Sequence, residues 1–248
     1  MKETRYFYVP DAGRQSELPP DEAAHALRVL RLKAGDELFL MDGAGSFFRA
    51  ELTVTSAKRC MYAVKAVLPQ IKMWRGHIHL AIAPTKMMER MEWLAEKATE
   101  IGFDELSFLD CRFSERRQVK IARVEKIVVS ATKQSRKPWK PLVHEMTDFK
   151  TFVESRRKGR CFIAHCYDEM PKEDLYDELT KHSGNEDITV LIGPEGDFSI
   201  EEVNFALEHG CEPVSLGASR LRTETAGLLA VSMAQLAFRK RTNETDLK

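Results

Sequence analysis

From residue 78 onward this chain alternates short apolar runs with amphipathic stretches, and few architectures accept that pattern. The runs HIHLAIA (77–83), ELSFL (105–109), CFIAHC (161–166), ITVLIG (188–193) and EPVSL (212–216) have the length of strands. Helical periodicity lies between them. Over 86–101, Met87, Met91, Leu94, Ala98 and Ile101 recur on one face and Gly102 supplies a stop. Further helices are predicted over 115–132 and 224–238. Another opens at Ser199, where Ser199 and Glu202 have capping-box spacing, Phe198 can pack onto Val203, and Gly210 ends it. Parallel strands need long crossovers, which helices supply. The pattern therefore predicts an α/β fold with a parallel sheet covered by helices on both faces.

The first 70 residues read differently. Strands are predicted over 37–41, 47–54 and 62–68, with Asp42-Gly43-Ala44-Gly45 as a turn and one helix over 21–30. This is a small β-barrel-like domain. The pattern changes across 69–76, so domains are expected at 1–72 and 73–248.

With 248 residues the chain can hold both. No apolar run reaches the ~18 residues of a membrane span, and residues 1–5 lack the apolar core of a signal peptide. A cytoplasmic protein without membrane contact is expected. Cys60, Cys111, Cys161, Cys166 and Cys211 are odd in number and scattered, so neither a disulfide framework nor a zinc site is predicted. His77 and His79 sit two apart on one strand, but no third ligand lies at a suitable spacing, and no metal is expected.

Net charge is zero, which excludes a uniformly basic coat. Charge is nevertheless segregated: 111–140 carry ten Lys/Arg against Glu115 and Glu125, and 168–187 carry eight Asp/Glu against Lys172 and Lys181. Such segregation suits a polyanion-binding face. A solvated helix face is the alternative.

Two strand-to-helix loops are the places for a ligand in an open α/β sheet. In Gly193-Pro194-Glu195-Gly196-Asp197 there is no lysine, and two carboxylates would repel a polyphosphate. A ligand with an adenosine and a positive group would be tolerated; a plain tight turn is an equal reading. The second loop, residues 215–226, crowds Arg220, Arg222 and Glu224. A helix cap by Thr223 plus an ion pair would also explain it. In the helix that follows, Ala226, Ala230 and Ala234 recur every four residues, as a core stripe or a subunit interface.

The pair IGPEGDFS and SLGASRLRTETA resembles the ribosomal RNA small subunit methyltransferase E family, of the SPOUT class of knotted methyltransferases. Residues 25–32 with Gly35-Asp36, the segment 96–102, and Gln134-Ser135-Arg136 followed by Pro138 and Pro141 also resemble that family, in order along nearly the whole chain. The resemblance implies a PUA-like barrel followed by a trefoil-knotted α/β domain, a departure from the general absence of knots. It also implies a homodimer that binds S-adenosyl-L-methionine and methylates N3 of one uridine in 16S rRNA, within the small ribosomal subunit. It places Leu191, Ile192, Gly193, Pro194, Glu195 and Gly196 in one cofactor loop. It places Leu216, Gly217, Leu221, Arg222, Thr223, Thr225 and Ala226 in the other, with Glu224 among them. Two departures stand out: the family often has glycine at Asp197, and acidic residues near Ser130 and Lys133.

Uracil N3 carries a proton that must leave, so the expected catalytic residues are Arg222, facing the uracil carbonyls, and Glu224, orienting Arg222 or acting as base. RNA contacts are expected at His25, Arg28 and Arg31 on the barrel. Further contacts are expected along the basic stretch at Arg112, Arg116, Arg117, Lys120, Arg123 and Arg136, with Arg116, Lys120 and Arg123 on one helical face. Trp74 and Trp139 are expected to fill the core rather than stack on bases. The alternatives are a non-catalytic RNA-binding assembly factor of the same fold, or a methyltransferase acting on another structured RNA.

Overall fold

A computed structural model describes residues 5–56, 59–155, 159–181 and 187–239. Positions 1–4, read above for a leader, and Glu186 of the acidic stretch lie outside the described residues. The chain forms two compact units: Met1–Lys72 together with Val129–Lys140, and Met73–Val128 together with Pro141–Lys248.

In the first unit, β1 (Tyr6–Tyr8), β2 (Glu37–Met41), β3 (Ser46–Thr55) and β4 (Cys60–Pro69) form a sheet in that order. β1 pairs in parallel with β2, and the other pairs are antiparallel. The chain between β1 and the first helix returns to the free edge of β4 through a Glu17–Met61 bridge, and the Leu18 N–H donates to the Cys60 carbonyl at 2.9 Å. That return blunts the open edge and makes the sheet barrel-like. The turn after β2 forms as read: the Asp42 carboxylate accepts from the Ala44 and Ser46 N–H groups. The helix predicted over 21–30 is α1 (Pro20–Ala24) followed by one π-helical turn, His25–Val29. Residues 129–140 belong here. Within this unit Lys133 Nζ lies 2.6 Å from Glu22, and the Arg136 guanidinium sits 5.4 Å from the Tyr6 ring centroid.

The second unit holds β5 (Ile78–Ile82), α2 (Met88–Ile101), β6 (Glu105–Asp110), α3 (Ile121–Gln134), β7 (Leu142–Val143), β8 (Thr147–Asp148), α4 (Phe149–Glu154), β9 (Arg160–Ala164), β10 (Glu173–Asp174), α5 (Leu175–Lys181), β11 (Ile188–Ile192), α6 (Ile200–Glu208), β12 (Cys211–Ser215) and α7 (Thr223–Phe238). The last six residues of α3 lie in the first unit. The sheet is parallel, in the order β10-β12-β9-β11-β5-β6-β7, with β8 on β6.

Successive side chains of a strand face opposite ways. Ile78, Leu80 and Ile82 of β5 therefore join one core with Met91, Leu94, Ala230 and Val231, while Ala81 joins another with Phe149, Phe152, Val203 and Ala206. Both faces are covered, as the sequence predicts. The Ser199–Glu202 capping box forms in both directions, and Phe198 and Val203 are buried in one core. The alanine stripe of α7 is core: Ala230 and Ala234 are buried within the chain, and a Cβ on Gly227 would come 2.9 Å from Ile82 Cδ1.

Two expectations are corrected. α3 starts at Ile121, not at 115. Arg116 is not helical, so Arg116, Lys120 and Arg123 do not share a helix face. Its guanidinium instead holds the loop after β5, donating to the Thr85 carbonyl at 3.2 Å and to the Lys86 carbonyl at 2.5 Å. Cys166 lies past the end of β9 rather than inside a strand, while the other four cysteines are buried.

Candidate active site

In an open parallel sheet, ligands bind beyond the carboxyl ends of the strands. Here the chain leaves β9, β11 and β12 at that end, and a cleft of about 730 Å³ opens among the three loops. Ile192, Gly193, Pro194 and Glu195 line it from β11, and Leu216, Gly217, Leu221, Arg222, Thr223 and Ala226 line it from β12 and α7. Two loops that are distant in sequence therefore share one cavity. Leu191 is buried in the core, Gly196 lies by Phe113, and Thr225 is exposed, so these three do not line the cleft.

The loop after β11 is braced by its own carboxylates. Asp197 adopts φ +67°, a conformation that favours glycine. Its Oδ2 accepts from the Cys166 N–H at 2.7 Å and its Oδ1 from the Phe198 N–H at 2.8 Å. Glu195 Oε1 accepts from the Lys86 N–H at 2.9 Å. Gly193 lets the loop fold back: a Cβ there would lie 3.0 Å from the Phe198 nitrogen. Both carboxylates are engaged within the chain, and Arg90, Lys172, Arg220 and Arg222 also line the cleft.

The second loop turns at Gly217, φ +104°. Arg222 occupies the N-cap of α7 in extended geometry with no side-chain cap, so Thr223 is inside the helix rather than its cap. Arg222 is exposed and lines the cleft. Glu224 is buried and does not line it. Its Oε1 lies 3.7 Å from Arg90 Nε, and its Oε2 is buried with no hydrogen-bond partner among the described residues.

Sequence reasoning missed Arg90, His165 and Lys172. Arg90 comes from the first turn of α2, a signal no local pattern carries. His165 stands at the carboxyl end of an apolar strand, a position that could have flagged it. It is buried, and burial followed by the Lys172 charge holds its imidazole below the usual range. Lys172 Nζ reaches the Tyr167 carbonyl at 2.9 Å. Cys166 also lines the cleft, but desolvation and then Asp197 push its thiol up, away from thiolate chemistry.

Of the residues expected to meet RNA, several are tied within their own unit. Arg117 pairs with Asp110, and Arg123 pairs with Glu92 at 2.6 Å. Arg28, Arg31, Arg112, Lys120 and Arg136 are exposed, and His25 is half-buried near Phe7. The basic stretch is divided between the two units at residue 129, so it is not one continuous feature of either. Trp74 is core, its Nε1 donating to Asp104 at 3.0 Å, and Trp139 packs against Gly45.

A parallel sheet, a cleft from two strand-to-helix loops, and a separate small barrel-like unit define a class. Residues 72–235 match the model of the RNA methyltransferase domain, and residues 18–60 match the model of the RNA methyltransferase PUA domain. The protein is thus of the two-domain RNA methyltransferase class. The ribosomal RNA small subunit methyltransferase E of Rickettsia conorii is 27% identical over 222 residues, covering 89% of each chain. A probable rRNA-methyltransferase of Porphyromonas gingivalis is 45% identical in its crystal structure, with TM-score 0.84, covering 92% of this chain and 95% of that one. The ribosomal RNA small subunit methyltransferase E of Neisseria gonorrhoeae, bound to S-adenosyl methionine, is 25% identical with TM-score 0.80, covering 94% and 98%. This chain belongs to the ribosomal RNA small subunit methyltransferase E family. Among the described residues, no helix is long and apolar enough to cross a membrane.

Proposed function

We propose that this chain methylates N3 of a uridine in 16S rRNA of the small ribosomal subunit, using S-adenosyl-L-methionine, as a cytoplasmic homodimer. The observation that carries the reading is the convergence of the 193–197 and 215–223 loops on one cleft. The cleft fits the cofactor: Ile192, Leu216, Leu221 and Ala226 offer an apolar floor for a base, and glycines at 193 and 217 keep the loop backbones bare. In this reading the barrel unit, residues 1–72, binds RNA and residues 73–248 carry the reaction. In this reading the chain after β12, which packs α7 on β5 and β11, threads a trefoil knot.

When bound, the cofactor supplies an electrophilic methyl group on a sulfonium. The protein's part is alignment and charge stabilisation. Arg222 offers its guanidinium to the uracil oxygens and stabilises the anion left as the N3 proton passes to solvent water. Glu224 serves as a positioning residue: from beneath the cleft it holds Arg90, and through Arg90 the local arrangement of cations. Arg28, Arg31, Arg112, Lys120 and Arg136, with His25, contact RNA. Exposed Trp93 on α2 and Leu236 on α7 are apolar surface a dimer would cover.

The test combines calorimetry with S-adenosyl-L-methionine, transfer of labelled methyl to small subunits, and mapping of the modified nucleotide. Arg222→Ala should keep cofactor affinity and lose on the order of 10²-fold in turnover. Near wild-type turnover would remove Arg222 from the mechanism. Cofactor binding without transfer would point to an assembly factor, and a mark on another RNA or base would point to a different target. Glu224→Gln should alter the pH profile of turnover, an effect a purely structural role would not produce.

A further inference from the structure

His77 and His79 lack a third metal ligand nearby in the chain, but the fold brings Glu105 from the neighbouring strand β6 and His144 from just beyond β7, the next strand over. β5 and β6 pair in parallel with His79 opposite Glu105. β7 pairs with β6, and just beyond it the His144 N–H donates to the Leu106 carbonyl at 2.9 Å. Three imidazoles thereby surround one carboxylate. His77 Nε2 is 2.7 Å from Glu105 Oε1, His144 Nε2 is 2.7 Å from Glu105 Oε2, and His79 Nδ1 is 3.8 Å from Oε2. One ligand atom each from His79, Glu105 and His144 all lie within 4.8 Å of one another.

The arrangement around His79 is that of a braced ligand. Its Nε2 meets Ser107 Oγ at 2.8 Å, and its ring packs edge-on against Phe152 at 5.5 Å. With one nitrogen held by the protein, the other lies 3.8 Å from the carboxylate; metal-binding histidines are likewise oriented by their outer partners.

We propose that His79, Glu105 and His144 bind a divalent transition-metal ion, zinc(II) foremost, with His77 at hand as a further ligand. Two imidazoles and one carboxylate are a donor set that suits this borderline-soft ion. The site lies at the opposite end of the sheet from the cleft. β5 and β11 are in register from Ile78–Ile188 to Ile82–Ile192, and the cleft begins at Ile192, whereas His79 is the second residue of β5. Three residues of strand separate the two levels, roughly 10 Å. The ion therefore takes no part in methyl transfer. It ties β5, β6 and the segment after β7 together where two-residue strands give little pairing of their own.

Calorimetry on the untagged, chelator-stripped full chain with zinc chloride at about pH 7.5 tests this. One ion per chain is expected, with a rise in thermal midpoint on adding zinc. His79→Ala, His144→Ala and Glu105→Gln should each bind at least ~10-fold more weakly, while His209→Ala, at the C-cap of α6, should bind like wild type. Should a variant fail to fold, cobalt(II) added to the wild-type chain should develop the visible absorption of a low-coordinate nitrogen and oxygen site. The proposal is overturned if the wild-type chain takes up no stoichiometric zinc and shows no cobalt absorption. It is equally overturned if a folded chain with both histidines replaced binds zinc as the wild type does.

Discussion

Gly217→Ala isolates one physical effect. Gly217 has φ +104°, and a Cβ built there meets no atom within 4 Å. Alanine at this position therefore creates no clash and removes no contact. Its whole cost is the left-handed backbone, about 1–2 kcal/mol, which corresponds to roughly 5–30-fold in an equilibrium constant. That cost can appear in two ways. The loop can hold its shape, and the chain loses stability; or the loop relaxes, and the cleft loses affinity for S-adenosyl-L-methionine. The two losses together should amount to about 1–2 kcal/mol. Gly210 is the control. It has φ +81° and open space around it, but it ends α6 and does not line the cleft. Gly210→Ala should lose the same energy entirely as stability. Urea unfolding of both variants, with calorimetric titration of the cofactor, separates the terms. The reasoning is refuted if Gly217→Ala keeps both stability and affinity, or if Gly210→Ala weakens cofactor binding as much as Gly217→Ala does.

Arg160 joins three elements: it pairs with Glu178 of α5 at 2.7 Å and with Glu212 of β12, and it lies 4.7 Å from the Phe162 ring centroid. Arg160→Met keeps the stem and deletes the charge, leaving Glu178 paired with Lys181, and should cost roughly 2 kcal/mol in urea. For His165 the native imidazole is depressed below 6.5, so the unfolded chain takes up a proton that the native one refuses. Its contribution to stability is therefore complete above pH 6.5 and lost as the pH falls from there toward the native value. His165→Asn should flatten the decline in unfolding free energy between about pH 7 and 5, and identical slopes for the two proteins would refute this. Ser199→Ala removes one side of the capping box on α6 and should cost ~1 kcal/mol, which urea unfolding would register.

What could be read before folding follows from how each signal is encoded. A strand buried on both faces is apolar throughout, so β5, β6, β11 and β12 stand out within a residue or two of their true ends. The two cleft loops stand out because glycines mark both and a capping box marks the helix after the first. β7, β8 and β10 are two residues each, too short for any period, and are defined by their partner strands alone. The start of α3 failed for a different reason. Residues 115–120 have the charge spacing of a helix face, but Arg116 and Arg117 are used to tie loops, and a tether and a solvated face look alike in one dimension.

The same distinction governs the functional residues. A basic stretch suggests phosphate contacts only if its cations are free, and pairing partners are set by tertiary structure. Lys133 is consumed by Glu22 and Arg123 by Glu92, each partner lying more than thirty positions away. Conversely, groups that look idle in sequence become a constellation when parallel strands align them. His79, Glu105 and His144 are separated by 26 and 39 residues, yet sheet register places them around one point. Arg90 reaches Glu224 in the same manner, across 134 residues. Motifs carried by a single turn can be read from the chain, whereas sites assembled across strands require the register. If the zinc titration is positive, searches for metal sites in parallel α/β chains should score donors by strand register instead of by chain spacing.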